Sequence, residues 1–349
     1  MHMADALISP AVGATLWAGS AAVGGFASRR LKRDLDDRTI PLMGVLGAFI
    51  FAAQMVNFTI PGTGSSGHLG GGMILAILLG PHAAFVVMAS VLTVQALFFA
   101  DGGLLALGCN IWNLGFYPSY LVYPLLYKPW AGEGKSPGRI LAASVVSVVL
   151  ALQLGAFSVV LETVLSGKSE LPLGAFALLM QPVHLAIALV EGFVTAGVIN
   201  YVRTARPEIL AGAAASRPRG TQMPLRKVIA TFAALALLTG GGLSWFASTH
   251  PDGLEWSIEK ITGSQGLPEP DQGIAPVFRR IQEKTAFLPD YRFKLPAGEA
   301  RQEPADPAWP AVDGGVSTAG VIGGAIVLGM VMVIGMGVRT LRRRKRDDL

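Results

Sequence analysis

A series of long apolar runs constrains this chain more than any other feature: residues 6–27, 41–58, 70–100, 104–127, 140–165, 180–202, 228–247 and 319–338. A helix needs roughly 17–25 such residues to cross the hydrocarbon of a bilayer, where no water can satisfy a backbone polar group left unpaired. The run 70–100 is too long for one crossing and contains Gly80-Pro81. Proline has no N–H and suits the first turn of a new helix, so the run is divided there. Its first part, 70–79, spans only about 15 Å at the α-helical rise and is expected to lie buried inside a bundle. The expectation is an all-α integral membrane protein of about nine helices. Composition agrees: 52% of the residues are hydrophobic, 15% are charged and the mean hydropathy is +0.51, so lipid is the solvent for most of the chain.

The basic residues set the orientation. Arg29, Arg30, Lys32, Arg33 and Arg38 follow the first run; Lys128, Lys135 and Arg139 follow the fifth helix; Arg203, Arg206, Arg217, Arg219, Arg226 and Lys227 lie between the seventh and eighth; Arg342 to Arg346 follow the ninth. With nine spans, all fall on one side, which the positive-inside rule makes the cytoplasm. The chain then starts outside and ends in the cytoplasm of a cell (inner) membrane that it crosses many times. The net charge of +5 sits in these end-of-span clusters, so it encodes orientation and not a nucleic-acid surface. Residues 204–224 are a polar, proline-bearing linker between a seven-span unit (1–203) and a two-span unit (225–349), whose outer segment (248–318) is charged, proline-rich and expected to hold a short helix near 274–284. The lone Cys109 lies in an apolar run and is expected to be a small packing residue.

The opening segment has no basic region ahead of its apolar run, so it is not expected to be a cleaved signal, and Met1 is expected to persist as a free outer amine. Of the five histidines, His2 and His68 fall on that outer side. A free α-amine, the amide nitrogen of residue 2 and the imidazole of residue 2 can close a five- and a six-membered chelate ring around one ion. A fourth nitrogen would complete the tetragonal plane suited to Ni(II) or Cu(II), with Co(II) also served by imidazole. His68, in a glycine-rich loop (61–72, PGTGSSGHLGGG), is the candidate. A flexible loop that carries a histidine by chance is the plainer reading. His184 and Glu191, seven apart on one helix face, are either support for such a site or a mutually satisfied interior pair. His82 falls near the cytoplasmic end, and His250 could touch an ion in passing. Small residues recur every fourth position at Ala14, Ala18, Ala22 and at Gly44, Ala48, Ala52, rows that suit either internal packing or a docked subunit. Gly134-Lys135-Ser136 is not a phosphate-binding loop, since Pro129 stands where the first glycine is needed.

Met1-His2, the loop 61–72, the block 95–104 (QALFFADGGL), Leu107-Gly108-Cys109-Asn110, and Pro182-Val183-His184 with Glu191-Gly192 together resemble the CbiM/NikM family, and Pro251-Asp252-Gly253-Leu254-Glu255 is similar to the PDGLE signature of CbiN/NikN. The resemblance covers residues 1–203 and about 225–340. It implies the substrate-binding component of an energy-coupling-factor importer for cobalt or nickel, fused to its small partner. The metal ligands implied are Met1, His2 and His68; Ser66 and His184 are candidates, from their positions alone, for supporting them. The partners implied are a transmembrane coupling subunit of CbiQ/NikQ type and separate ATP-binding subunits of CbiO/NikO type, in addition to membrane lipid. The ion would be cargo, with no resident cofactor and no chemical conversion. The family's usual Met-His-Ile-Pro-Asp/Glu-Gly start is Met1-His2-Met3-Ala4-Asp5-Ala6 here, which keeps the ligating atoms and alters the turn after them; Met3 is read mainly as a packing residue. A membrane component for an organic micronutrient such as a vitamin is the rival, and it would be indifferent to His2. An intramembrane metalloenzyme is disfavoured, because no His-Glu-x-x-His pair occurs.

Overall fold

A computed structural model describes residues 2–34, 36, 39–132, 136–168, 171–210, 224–268, 271–294 and 309–347. Met1, Gly134, Lys135, most of the linker, and the orientation charges Arg38, Arg217 and Arg219 lie outside the described residues. A 3-10 turn, Asp5–Leu7, precedes α1 (Pro10–Asp34), followed by α2 (Thr39–Gln54) and a hairpin of β1 (Phe58–Ile60) and β2 (Ser65–Gly67). Next come α3 (Gly72–Leu79) and α4 (Pro81–Phe99). Gly80 between them has φ +78° and Pro81 opens α4, so the expected break is where a left-handed glycine and a proline allow it. All of α3 except Leu79 is buried, which explains how a segment too short to cross is tolerated.

The fifth expected helix, residues 104–127, is less regular than a simple span. α5 (Leu107–Ile111) passes into a π-helical stretch, Trp112–Tyr127, and then α6 (Lys128–Ala131). Pro118 and Pro124 lie within the stretch and supply no N–H. α7 (Pro137–Ser166) and α8 (Leu173–Ala205) pack side by side, and α9 (Leu225–Gly241) and α12 (Gly314–Asp347) lie against α2. Two further helices, α10 (Gly253–Thr262) and α11 (Ala275–Thr285), lie between those last two long helices in the chain.

Four helices have the length and hydropathy of membrane spans: Pro81–Phe99, Pro137–Ser166, Leu173–Ala205 and Gly314–Arg342; Thr39–Gln54 is apolar but shorter. The outer faces of α7 and α8 expose Leu165, Leu178 and Phe193, an arrangement that lipid accommodates and water does not. The two small-residue rows serve different ends. Gly44, Ala48 and Ala52 are buried, and a Cβ added at Gly44 would stand 3.2–3.4 Å from Met332 and Leu328 of α12. Ala14, Ala18 and Ala22 are exposed. α12 also crosses α9 at a glycine pair, where a Cβ on Gly240 would meet the Gly320 backbone at 2.9 Å. Bare glycines here let the two backbones touch.

Candidate metal centre

The residues after Met1 are threaded into the bundle and fastened there. Met3 is fully buried in the core, so its side chain packs, as the sequence suggested. The Met3 amide donates to Asn110 Oδ1 at 2.9 Å, and its carbonyl accepts from Gly103 N at 2.8 Å and Asn110 Nδ2 at 3.3 Å. The Asp5 carboxylate accepts from Ala106 N at 3.0 Å. These bonds fix His2 immediately before them. Its ring stacks on that of His68, with centroids 5.1 Å apart and planes 27° from parallel; two imidazoles sharing one ion at metal–nitrogen distances of about 2 Å would lie about 4–6 Å apart. His2 Nδ1 lies 2.9 Å from Asp101 Oδ1, and the buried Nε2 has no hydrogen-bond partner. In His68, Nδ1 lies 3.1 Å from the Leu69 carbonyl, which can only accept. That bond places the proton on Nδ1 and the lone pair on Nε2. Burial pushes the His68 pKa down to about 3, so the ring is neutral and able to bind an ion.

The loop that carries His68 is held from below by Glu191 of α8. Its carboxylate accepts from Gly70 N at 2.6 Å and from Gly71 N at 2.8 Å. Gln54 Nε2 donates to the Gly70 carbonyl at 2.9 Å, and Gln95 Nε2 donates to Gln54 Oε1 at 2.8 Å. Glu191 and His184 therefore do not form the mutually satisfied pair that one helix face allowed: His184 Nδ1 donates to its own helix at the Met180 carbonyl, 2.8 Å away. Both border the loop instead. His184 lines a small cavity with Gly67, His68, Gly70, Asp252 and Gly253. The sequence could not pair Glu191 with glycines 120 and 121 positions away.

From above, the loop is strapped by residues 248–256. Ser66 pairs with Asp252 as a parallel bridge; its amide donates to the Pro251 carbonyl at 2.8 Å and its hydroxyl to the His250 carbonyl at 2.8 Å. Trp256 Nε1 donates to the Thr63 carbonyl at 3.0 Å, and Ser248 N to the Asn57 carbonyl at 2.8 Å. The Pro-Asp-Gly-Leu-Glu motif thereby acquires a physical meaning. Asp252 caps α10 by accepting from Leu254 N and Glu255 N at 2.8 Å, and Glu255 accepts back from Asp252 N at 3.2 Å, a reciprocal capping box. Gly253 is the close-approach residue, where a Cβ would stand 2.7 Å from Val183 and 3.1 Å from His184. The hairpin and α10 went unread in the sequence; the turn residues 61–64 and the Asp-x-x-Glu spacing were their signals. His250 meets the loop through its backbone, and His82 lies apart, its Nδ1 2.9 Å from the Tyr120 hydroxyl.

Among the described residues, no group of three or more His, Cys, Asp or Glu side chains could hold a metal ion. An ion taken by His2 and His68 would draw its other donors from outside such a side-chain cluster. A six-membered ring through the residue 2 amide uses Nδ1 of His2, the nitrogen now facing Asp101, so chelation includes a half-turn of the imidazole about Cβ–Cγ. Asp101 was not singled out in the sequence, although it is the one ionisable residue in the block 95–104.

Residues 2–209 match the CbiM family, described as the cobalt uptake substrate-specific transmembrane region, and residues 226–340 match the PDGLE domain. The chain is 31% identical over 315 residues to the fused nickel transport protein NikMN of Rhodobacter capsulatus, covering 83% of this chain and 88% of that one. It is 30% identical over 192 residues to the cobalt transport protein CbiM of Sorangium cellulosum, covering 52% and 80% respectively. A crystal structure of a truncated transition metal transporter superposes with a TM-score of 0.52 at 27% identity, covering 58% of this chain and 99% of that one.

Proposed function

The chain belongs to the CbiM family of cobalt uptake substrate-specific transmembrane regions and carries a PDGLE domain at its C-terminal end, and from that premise we propose that it captures Ni(II) or Co(II) for import. The ion is held by the Met1 amine, the His2 amide and imidazole nitrogens and His68. The observation that carries this reading is the contact between two imidazoles 66 positions apart: a neutral His68 whose Nε2 bears the lone pair, stacked on a His2 whose Nε2 is buried without a partner. Ser66 and His184 support the site from its border. Four nitrogens in a plane suit nickel, and the fused relative from Rhodobacter capsulatus is named for nickel.

The wider reading keeps nine spans in a cell membrane, the amino terminus outside, a metal-capturing unit (1–203), a linker (204–224) and a two-helix unit (225–349). The chain is a transporter subunit and not an enzyme, and ATP is hydrolysed by separate partners of CbiO/NikO type. The exposed row Ala14, Ala18, Ala22 offers a close-approach face for a coupling subunit of CbiQ/NikQ type. Calorimetric titration of the purified full chain and of His2→Ala with nickel chloride tests the site. At least a hundredfold weaker binding is expected for the variant, since it loses one donor and the chelate ring; equal affinity would remove the reading.

A further inference from the structure

Asp101, in the loop after α4, uses both carboxylate oxygens. Oδ1 faces His2 Nδ1 at 2.9 Å, and Oδ2 accepts from the Tyr291 hydroxyl at 2.5 Å. An ionised carboxylate can only accept, so His2 Nδ1 carries the proton. That is the minor tautomer of a free imidazole in water, imposed here by the neighbour. Tyr291 is itself fixed. Its ring stacks on Phe99 with centroids 5.1 Å apart, and the segment leading to it is tied down by Gln282 Nε2, which donates to the Ala96 and Gly102 carbonyls at 2.9 and 2.7 Å, and by Thr285 Oγ1, which donates to the Leu97 carbonyl at 2.7 Å. Asp290 and Tyr291 both sit at positive φ, +50° and +60°. For residues with side chains this conformation is disfavoured and persists where surrounding contacts over-determine it.

We propose that Asp101, held by Tyr291 of the outer segment, is the positioning residue for His2, fixing the tautomer and plane of its imidazole, so that the two-helix unit completes the ion site through one hydroxyl. The proposal rests on His2 being a ligand. When the ring turns to give Nδ1 to the ion, its proton passes to Nε2, and that N–H finds the same carboxylate. A carboxylate behind a ligating histidine orients the ring and raises its basicity, and loss of such a partner weakens metal binding by about 10–100-fold.

The experiment uses the purified full chain with nickel chloride as the only added metal. Asp101→Asn is expected to weaken binding 10–100-fold and Tyr291→Phe, which keeps the stacked ring, about fivefold. ¹⁵N spectra of the metal-free, histidine-labelled protein provide a readout that a merely structural role would not move. The His2 signals, assigned by their disappearance in His2→Ala, should report the Nδ1–H tautomer and shift toward Nε2–H in Asp101→Asn. Wild-type affinity in both variants with an unchanged tautomer would overturn the positioning role, while loss of binding in His2→Ala would leave the capture reading standing. Wild-type affinity in His2→Ala would remove the capture reading itself.

Discussion

The two halves of the candidate centre are built by opposite means. The His68 loop is gripped through its main chain, by Glu191 from below and by the 248–256 strap from above. The His2 ring is held by a single side chain, Asp101, while the backbone behind it is anchored at Met3. Main-chain grips belong to the fold and resist change, whereas a side-chain grip can let go. On the proposed reading, the difference would make the loop a fixed receptacle and the amino-terminal imidazole the part that turns onto the ion. Substitutions beneath the loop should therefore reduce stability and binding together, and substitutions at Asp101 should reduce binding with stability nearly intact.

Glu191→Ala should have the largest effect. It leaves the Gly70 and Gly71 amides without their charged acceptor, at a cost of about 3 kcal/mol or more, and thermal unfolding and nickel titration should fall together. A variant that keeps its melting temperature while losing nickel would break the contrast between the halves. Gly253→Ala comes next, with an expected loss of about 1–3 kcal/mol, because the new methyl must displace Val183 or His184 in a packed interface. Hydrogen exchange at the Ser66 amide and the Trp256 indole N–H should rise with it; protection that does not change would show that the strap does not hold the loop. The most gradual effect is on pH dependence. Folded His68 takes its proton near pH 3 and an unfolded histidine near 6.5. The unfolded chain therefore binds the extra proton throughout that window, and stability falls as the pH drops, by at most about 1.4 kcal/mol per unit. His68→Gln should flatten this acid slope of the melting temperature, and an unchanged slope would show that the ring is not buried as described.

Much of this was legible in the chain because it is local. Gly80-Pro81 marked a break that the backbone uses, the short run before it became the buried α3, and the outer helix expected near 274–284 is α11. His2 and His68, which the crossing count expected on one side, stack ring on ring. What stayed hidden depends on partners far apart in sequence. Nothing near Glu191 indicates that its oxygens will hold glycines 120 and 121 residues earlier, and Asp101 looks like an ordinary turn residue until Tyr291 arrives from 190 residues later. Two similar small-residue rows likewise met different fates, because only one of them lies where α12 packs.

The strap over the His68 loop belongs to the same polypeptide as the loop it covers. Made as two molecules, loop and strap would meet as often as their concentrations allowed; joined, they meet within one molecule, whatever the concentration of the protein. Expression level then no longer governs their pairing, and every copy of the receptacle is born with its cover in a ratio of one to one.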